Sequence, residues 1–165
     1  GQAQCWGASG YGDSCRGLDF TGVTDVYGTG SAFMALNTET GEAQCWGSSF
    51  DGGSCSGLDF AGMTDVYTTD SAFMALNKET GQAQCWGQRG NGGSCSGLDF
   101  ADVTDVYSTV SAFMALNKET GQAQCWGHSG DGGSCTGLDF ADVTDVYSTW
   151  AAFMALNKET GEAQC

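Results

Sequence analysis

The chain has 165 residues, of which 20 are acidic and 5 basic, giving a formal net charge of −15. Nucleic-acid affinity rests on clustered Lys and Arg facing phosphates, so this balance excludes a nucleic-acid partner and disfavours anionic membranes. No apolar run approaches the roughly 18 residues needed to cross a bilayer, so no membrane span is expected.

Sliding the sequence by 40 residues lays GQAQCWG at Gly1 on its copies at Gly41, Gly81 and Gly121, and on a shortened GEAQC at Gly161. A fixed period of this size marks arrays whose units cannot bury an apolar face alone and must stack on their neighbours. We therefore divide the chain into repeats 1–40, 41–80, 81–120 and 121–160, with 161–165 as the first strand of a further repeat. The chain opens on Gly1 with neither Met nor a basic-then-apolar leader, and reads as a mature piece or an excerpt.

In the first repeat, residues 2–6 alternate polar and small or apolar side chains, the period-2 pattern of a strand with one covered face. Residues 8–14 are turn formers and predict a loop. Leu18 and Phe20 bracket Asp19 and mark a candidate extra strand, and residues 23–27, VTDVY, predict the next one. After a short turn, AFMAL at residues 32–36 is apolar on both faces, as expected of a core strand between layers. Residues 37–41 predict a hairpin loop whose Gly41 takes a positive φ and returns the chain antiparallel. Each repeat thus offers three to four short antiparallel strands and no helix. The expected fold is an all-β, disulfide-stapled array of blade-like repeats, either open and superhelical or part of a propeller.

Nine cysteines stand at fixed register: Cys5 and Cys15, Cys45 and Cys55, Cys85 and Cys95, Cys125 and Cys135, then Cys165. Regular thiol pairs beside a single His predict disulfides in an oxidising, extracellular or cell-surface setting. A C-x9-C spacing is not that of a zinc or iron–sulfur site, so no metal is expected there. Two pairings are open. A local Cys5–Cys15 type closes a short Gly-rich loop and leaves Cys165 over, whereas a crossed Cys15–Cys45 type ties unit to unit and leaves Cys5 over. The short loop favours the local form. Either bridge contributes on the order of 3 kcal/mol by the chain-entropy model.

The string GVTDV-x4-SAFMALN-x3-G-x-AQCWG-x4-GG resembles the RCC1-like β-propeller repeat. It is similar above all to the compact blades of propeller-type β-lactamase inhibitory proteins and of microbial tandem arrays. The matching residues are Val26, Thr29, Ala32, Phe33, Ala35, Leu36, Trp46 and Gly47 with their copies, and the likeness covers the whole chain. The chain departs from the family in having Ala32 and its copies where the family has His, and in its cysteines. The resemblance implies blade-like β units, and it does not imply an exchange factor. Propellers of this type close with about seven blades, which four units and a spare strand do not reach.

Neither the first nor the last repeat shows the polar outer face that caps an array. Uncapped ends require a partner like themselves, and a heterologous contact that does not close generates a filament. The expected function is an extracellular structural protein that stacks head to tail on itself. The alternative is a secreted binding module, an inhibitor or adhesin, that recognises a protein or glycan through variable loops.

The recognition candidates follow from where the copies differ. Tyr11, Phe50, Arg89 and His128 lie in the variable loop, and Trp150 in the variable turn. Surface loops on a rigid scaffold are where recognition is placed, although free drift of exposed positions gives the same pattern. Trp6, Trp46, Trp86 and Trp126, with Phe33, Phe73, Phe113 and Phe153, keep constant register and are expected to pack between units. Recurring carboxylates such as Asp19, Asp25 and Glu39 suit solvation and turn hydrogen bonds. No nucleophile stands beside a base, so catalysis is not expected. Calcium wants about six to eight oxygens, and one Asp or Asn per loop falls short unless neighbouring units share, so no cofactor is assigned and calcium stays the alternative.

Overall fold

The β-branched and aromatic runs, the apolar AFMAL runs and the AQCWG runs after the first become strands in the computed structural model, which describes residues 2–165. The first sheet comprises β1 (Asp25–Gly28), β2 (Ala32–Leu36) and β3 (Ala43–Gly47), and the second β4 (Asp65–Thr68), β5 (Ala72–Asn77) and β6 (Gln82–Gly87). The third holds β7 (Asp105–Ser108), β8 (Ala112–Asn117) and β9 (Gln122–Gly127), and the fourth β10 (Asp145–Ser148), β11 (Phe153–Leu156) and β12 (Ala163–Gln164). Every sheet is a three-stranded antiparallel meander. Among the described residues the fold is therefore all-β: four tandem sheets, no closed barrel, and only 3-10 turns at Ser49–Asp51, Arg89–Asn91 and Ser129–Asp131 for helix. Among the described residues no helix is long and apolar enough to cross a membrane.

Each sheet takes its third strand from the opening residues of the following 40-residue unit, so the structural layers straddle the sequence register. Residues 2–6 form no strand, since no strand lies beside them among the described residues. The segment around Leu18–Phe20 also stays outside the sheet. Instead the side chain of Gln44 donates to the carbonyl of Asp19 and accepts from its N–H, making with one amide the two bonds a neighbouring strand would make. Gln124 and Gln164 repeat this clamp on Asp99 and Asp139. The hairpin at residues 37–41 forms as expected. Gly41, at φ 75, donates to the Asn37 carbonyl, and the Asn37 side chain accepts from the N–H groups of Glu39 and Thr40.

Strand register explains how sheets stack. Pairing of Phe33 with Trp46 and of Ala35 with Gln44 and Val26 puts these on one face, while Met34, Leu36, Tyr27 and Cys45 take the other. The second face of the first sheet packs on the first face of the next: Ala32, Met34 and Leu36 meet Phe60, Met63, Phe73, Ala75 and Trp86 in one apolar cluster. The same cluster recurs 40 residues on between the second and third sheets. AFMAL is buried on both faces for this reason. Phe73, Met74 and Leu76 are fully buried, which by area stabilises the fold by about 1.5–3 kcal/mol for each such side chain.

Candidate functional site: end faces and a variable rim

The cysteines pair locally, as Cys5–Cys15, Cys45–Cys55, Cys85–Cys95 and Cys125–Cys135, each with Cα atoms 5.7 Å apart. Cys165 is thereby left as an exposed free thiol rather than a bridge partner within the chain. Each bridge closes a loop that folds over the sheet's aromatic face. Trp86 stacks on Phe73 with ring centres 5.0 Å apart, meets Phe60 edge-on, and donates its Nε1–H to the Gly52 carbonyl at 3.1 Å. Trp126 stands likewise on Phe113 and Phe100, and Trp46 on Phe33 and Phe20. A Cβ on Gly52 would lie 2.4 Å from the Phe73 ring, so the loop needs glycine where it crosses that ring.

The outer layers break this symmetry. Phe33 is 37 % exposed where Phe73 and Phe113 are fully buried, and Trp6 is 82 % exposed where Trp86 is 6 %. Trp6 thus departs from the expected packing role, because residues 2–6 join no sheet among the described residues. Val26 and Phe33 line an apolar cleft of about 350 Å³ with Trp6, Trp46 and Phe20. At the other end Tyr147 is exposed and Met154 and Leu156 are only half-buried, although their copies lie in the core. Phe153 and Phe140 belong to the inner side of this last sheet, where they line a cleft of about 370 Å³ with Met114 and Cys125 of the third sheet. Both outer faces have the chemistry of an internal interface.

A backbone ladder runs through the layers. Gly30 N–H donates to the Asp70 carbonyl, Asp70 N–H to Val110 and Val110 N–H to Trp150, at 2.8, 2.9 and 2.8 Å. The first strands of successive sheets also approach one another, so the layers converge on this line. The ladder holds in a column the turn position at which all four copies differ. The loop position that also differs in every copy lies beside it, since Ser48, Gln88 and His128 donate their N–H to Ser31, Ser71 and Ser111. Variation is thus widest on one rim of the array, where Phe50, Arg89, His128 and Trp150 are exposed. Sequence reasoning had the loop and the turn as separate features. Their adjacency follows from the meander, in which β1 ends, β2 begins and β3 ends on the same side.

Charge gathers on the opposite rim. Asp25 and Glu39 stand there with their copies, as do Glu42 and Glu162, and so do Lys78, Lys118 and Lys158, which pair with Asp65, Asp105 and Asp145. Each ammonium also lies 5.7 Å from the centre of a tyrosine ring, Tyr67, Tyr107 or Tyr147. The hydrogen bond to tyrosine is the main cause that raises Lys78 and Lys118 above the ordinary lysine range. Lys158 is raised mainly by Asp145, which is itself held low by that lysine. The Asp19 carboxyl is held low by its hydrogen bonds to Thr21, within its own turn. Burial pushes the Tyr27 and Tyr67 hydroxyls up.

No family model matches the chain, and no curated protein matches it. Among solved structures it is similar to the entire ectodomain of the receptor kinase CR4 from Physcomitrella patens, with TM-score 0.59 and 13 % identity. The match covers 86 % of this chain and 40 % of that one, so this chain spans two-fifths of the ectodomain's length. At that identity the likeness is one of fold: a repeat-type, all-β structure of small antiparallel sheets.

Proposed function

We propose that this chain is a non-enzymatic, extracellular structural array, built of RCC1-like blades, that extends by stacking further layers of its own repeat into a filament or surface fibre. The observation behind this reading is the exposure of interface-type side chains on both outer sheets. Val26, Phe33 and Trp6 on one face and Tyr147, Met154 and Leu156 on the other match what the internal layers bury against each other. Such faces attract one another and sit at opposite ends of the stack, so their contact is heterologous and open-ended. The net charge of −15 opposes side-by-side aggregation while leaving the apolar ends free to meet. Four disulfides suit an oxidising setting, and the structurally similar CR4 chain is an ectodomain.

Sedimentation and electron microscopy of the purified chain over a dilution series provide the test. Rods whose length grows with concentration, shortened by Val26→Asp on the outer face, are the expected result. Monodisperse single particles at every concentration would refute stacking.

A second reading, a binding module for a protein or glycan, is favoured by one observation: the two positions that differ in all four copies share a rim. Capture of one specific partner, lost on Trp150→Ala or Arg89→Ala, would move the function to that rim.

A further inference from the structure

We propose that Asn91 is a site of spontaneous covalent modification, at which the loop of the third layer gains a carboxylate by deamidation. Each disulfide loop after the first ends its 3-10 turn on Asp51, Asn91 or Asp131, followed by Gly52, Gly92 or Gly132. The third copy alone has an amide there, and so alone has an Asn-Gly dipeptide.

Packing fixes the glycine. A Cβ on Gly92 would lie 2.5 Å from the Phe113 ring, and its φ of 103 is one that side chains rarely adopt. The fold therefore forces on Asn91 the neighbour that least hinders attack on its carboxamide. The turn's main-chain bonds step past this neighbour, since Asn91 N–H and Gly93 N–H both donate to the Gln88 carbonyl at 3.0 Å. The Asn91 side chain is half-buried and makes one hydrogen bond, from Nδ2 to Gln88 Oε1 at 2.6 Å. The hairpin asparagines contrast with it. Asn37, Asn77, Asn117 and Asn157 each accept two backbone N–H groups on Oδ1 and precede Thr or Lys.

The step balances with water alone. The Gly92 backbone nitrogen attacks Cγ of Asn91, the Cγ–Nδ2 bond breaks, and ammonia leaves behind a five-membered succinimide. One water opens that ring. Opening at one carbonyl gives an ordinary aspartyl residue, and opening at the other gives an isoaspartyl linkage. The aspartyl product fits, because Asp51 and Asp131 occupy the same place in sister loops. The isoaspartyl form does not fit. Thr69 Oγ1 donates to the Asn91 carbonyl at 3.0 Å and Trp126 Nε1 to the Gly92 carbonyl at 3.2 Å, and in the isoaspartyl form the first of these becomes a free carboxylate while the chain, longer by the Asn91 Cβ, runs on through Cγ, so both contacts cannot be kept. The aspartyl product places one more negative charge on the variable rim and gives three successive layers the loop Asp-Gly-Gly-Ser.

The test is peptide mass spectrometry of the folded, oxidised chain after prolonged incubation in mildly alkaline buffer, beside the reduced and denatured chain. The folded protein is expected to acquire the mass change of amide to acid in the peptide holding Asn91, with the four hairpin asparagines unchanged. The new acidic species should co-elute with Asn91→Asp on ion exchange and be absent from Asn91→Ser. The proposal is overturned if the folded chain keeps its Asn91 amide, whether or not the denatured chain loses it, or if the hairpin asparagines react as fast.

Discussion

The second and third sheets differ from the first and fourth in environment far more than in sequence. Phe73 and Phe33 sit at the same register, cross a glycine in the same way and stack on a tryptophan in the same way, yet only Phe73 is sealed by a neighbouring sheet. Stability in such an array is a sum of weak unit terms and strong interface terms, so a residue's contribution is set by how many neighbours its layer has. Replacing the two phenylalanines in turn puts this to the sharpest test. Phe73→Ala should cost about 3–5 kcal/mol, the price of a large cavity, whereas Phe33→Ala should cost about 1–2 kcal/mol, because its site is already open to water. Denaturant midpoints measure both, and equal losses would mean that the outer face is covered in solution.

The bridges sharpen the same contrast. Cys45–Cys55 and Cys5–Cys15 close loops of equal length, so the chain-entropy model gives each about 3 kcal/mol. That stabilisation reaches the global transition only when the bridged loop unfolds with everything else. The Cys45–Cys55 loop is locked under Phe73 and Trp86 and does so. The Cys5–Cys15 loop lies against an exposed face, with Gly12 on Phe33, and can open by itself. Serine at both Cys45 and Cys55 should therefore lower global stability by about 3 kcal/mol. Serine at Cys5 and Cys15 should mainly speed amide hydrogen exchange in the first layer. An equal global loss from both pairs would show that the end layer unfolds with the interior.

How much of this was legible in the sequence follows from where each signal lies. The strand AFMAL and the hairpin after it were readable, because an apolar run between turn formers and an Asn-x-x-x-Gly loop have local physical causes. The local pairing of cysteines was favoured by its short loop and is what forms. Residues 2–6 carry the pattern of a strand but make none, since a strand needs a partner and alternation within the segment does not supply one. The segment around Leu18–Phe20 looked like a fourth strand because a glutamine amide satisfies the backbone groups a strand would have used, an arrangement that period-2 reasoning does not register. The shared rim was hidden for a simpler reason. Residues 30 and 48 are far apart in sequence and meet only through the direction of three strands.

The smallest contrast lies in the turn that wedges each layer to the next. Gly22 and Gly62 hold it with φ of 74 and 73, whereas the third and fourth copies place Asp102 and Asp142 there at 58 and 59. The turn is the same throughout, with the Val103 N–H donating to the Phe100 carbonyl as Met63 N–H does to Phe60. Asp tolerates the left-handed region better than most side chains but does not prefer it. Asp102→Gly should therefore stabilise the third layer by up to about 1 kcal/mol, less the entropy that glycine returns to the unfolded chain. Asp102→Ala removes the tolerant side chain and keeps the Cβ, so its effect should be of opposite sign. Thermal melts of the two variants give the comparison, and a shift in the same direction for both would show that the Asp102 carboxylate makes a contact beyond its backbone role.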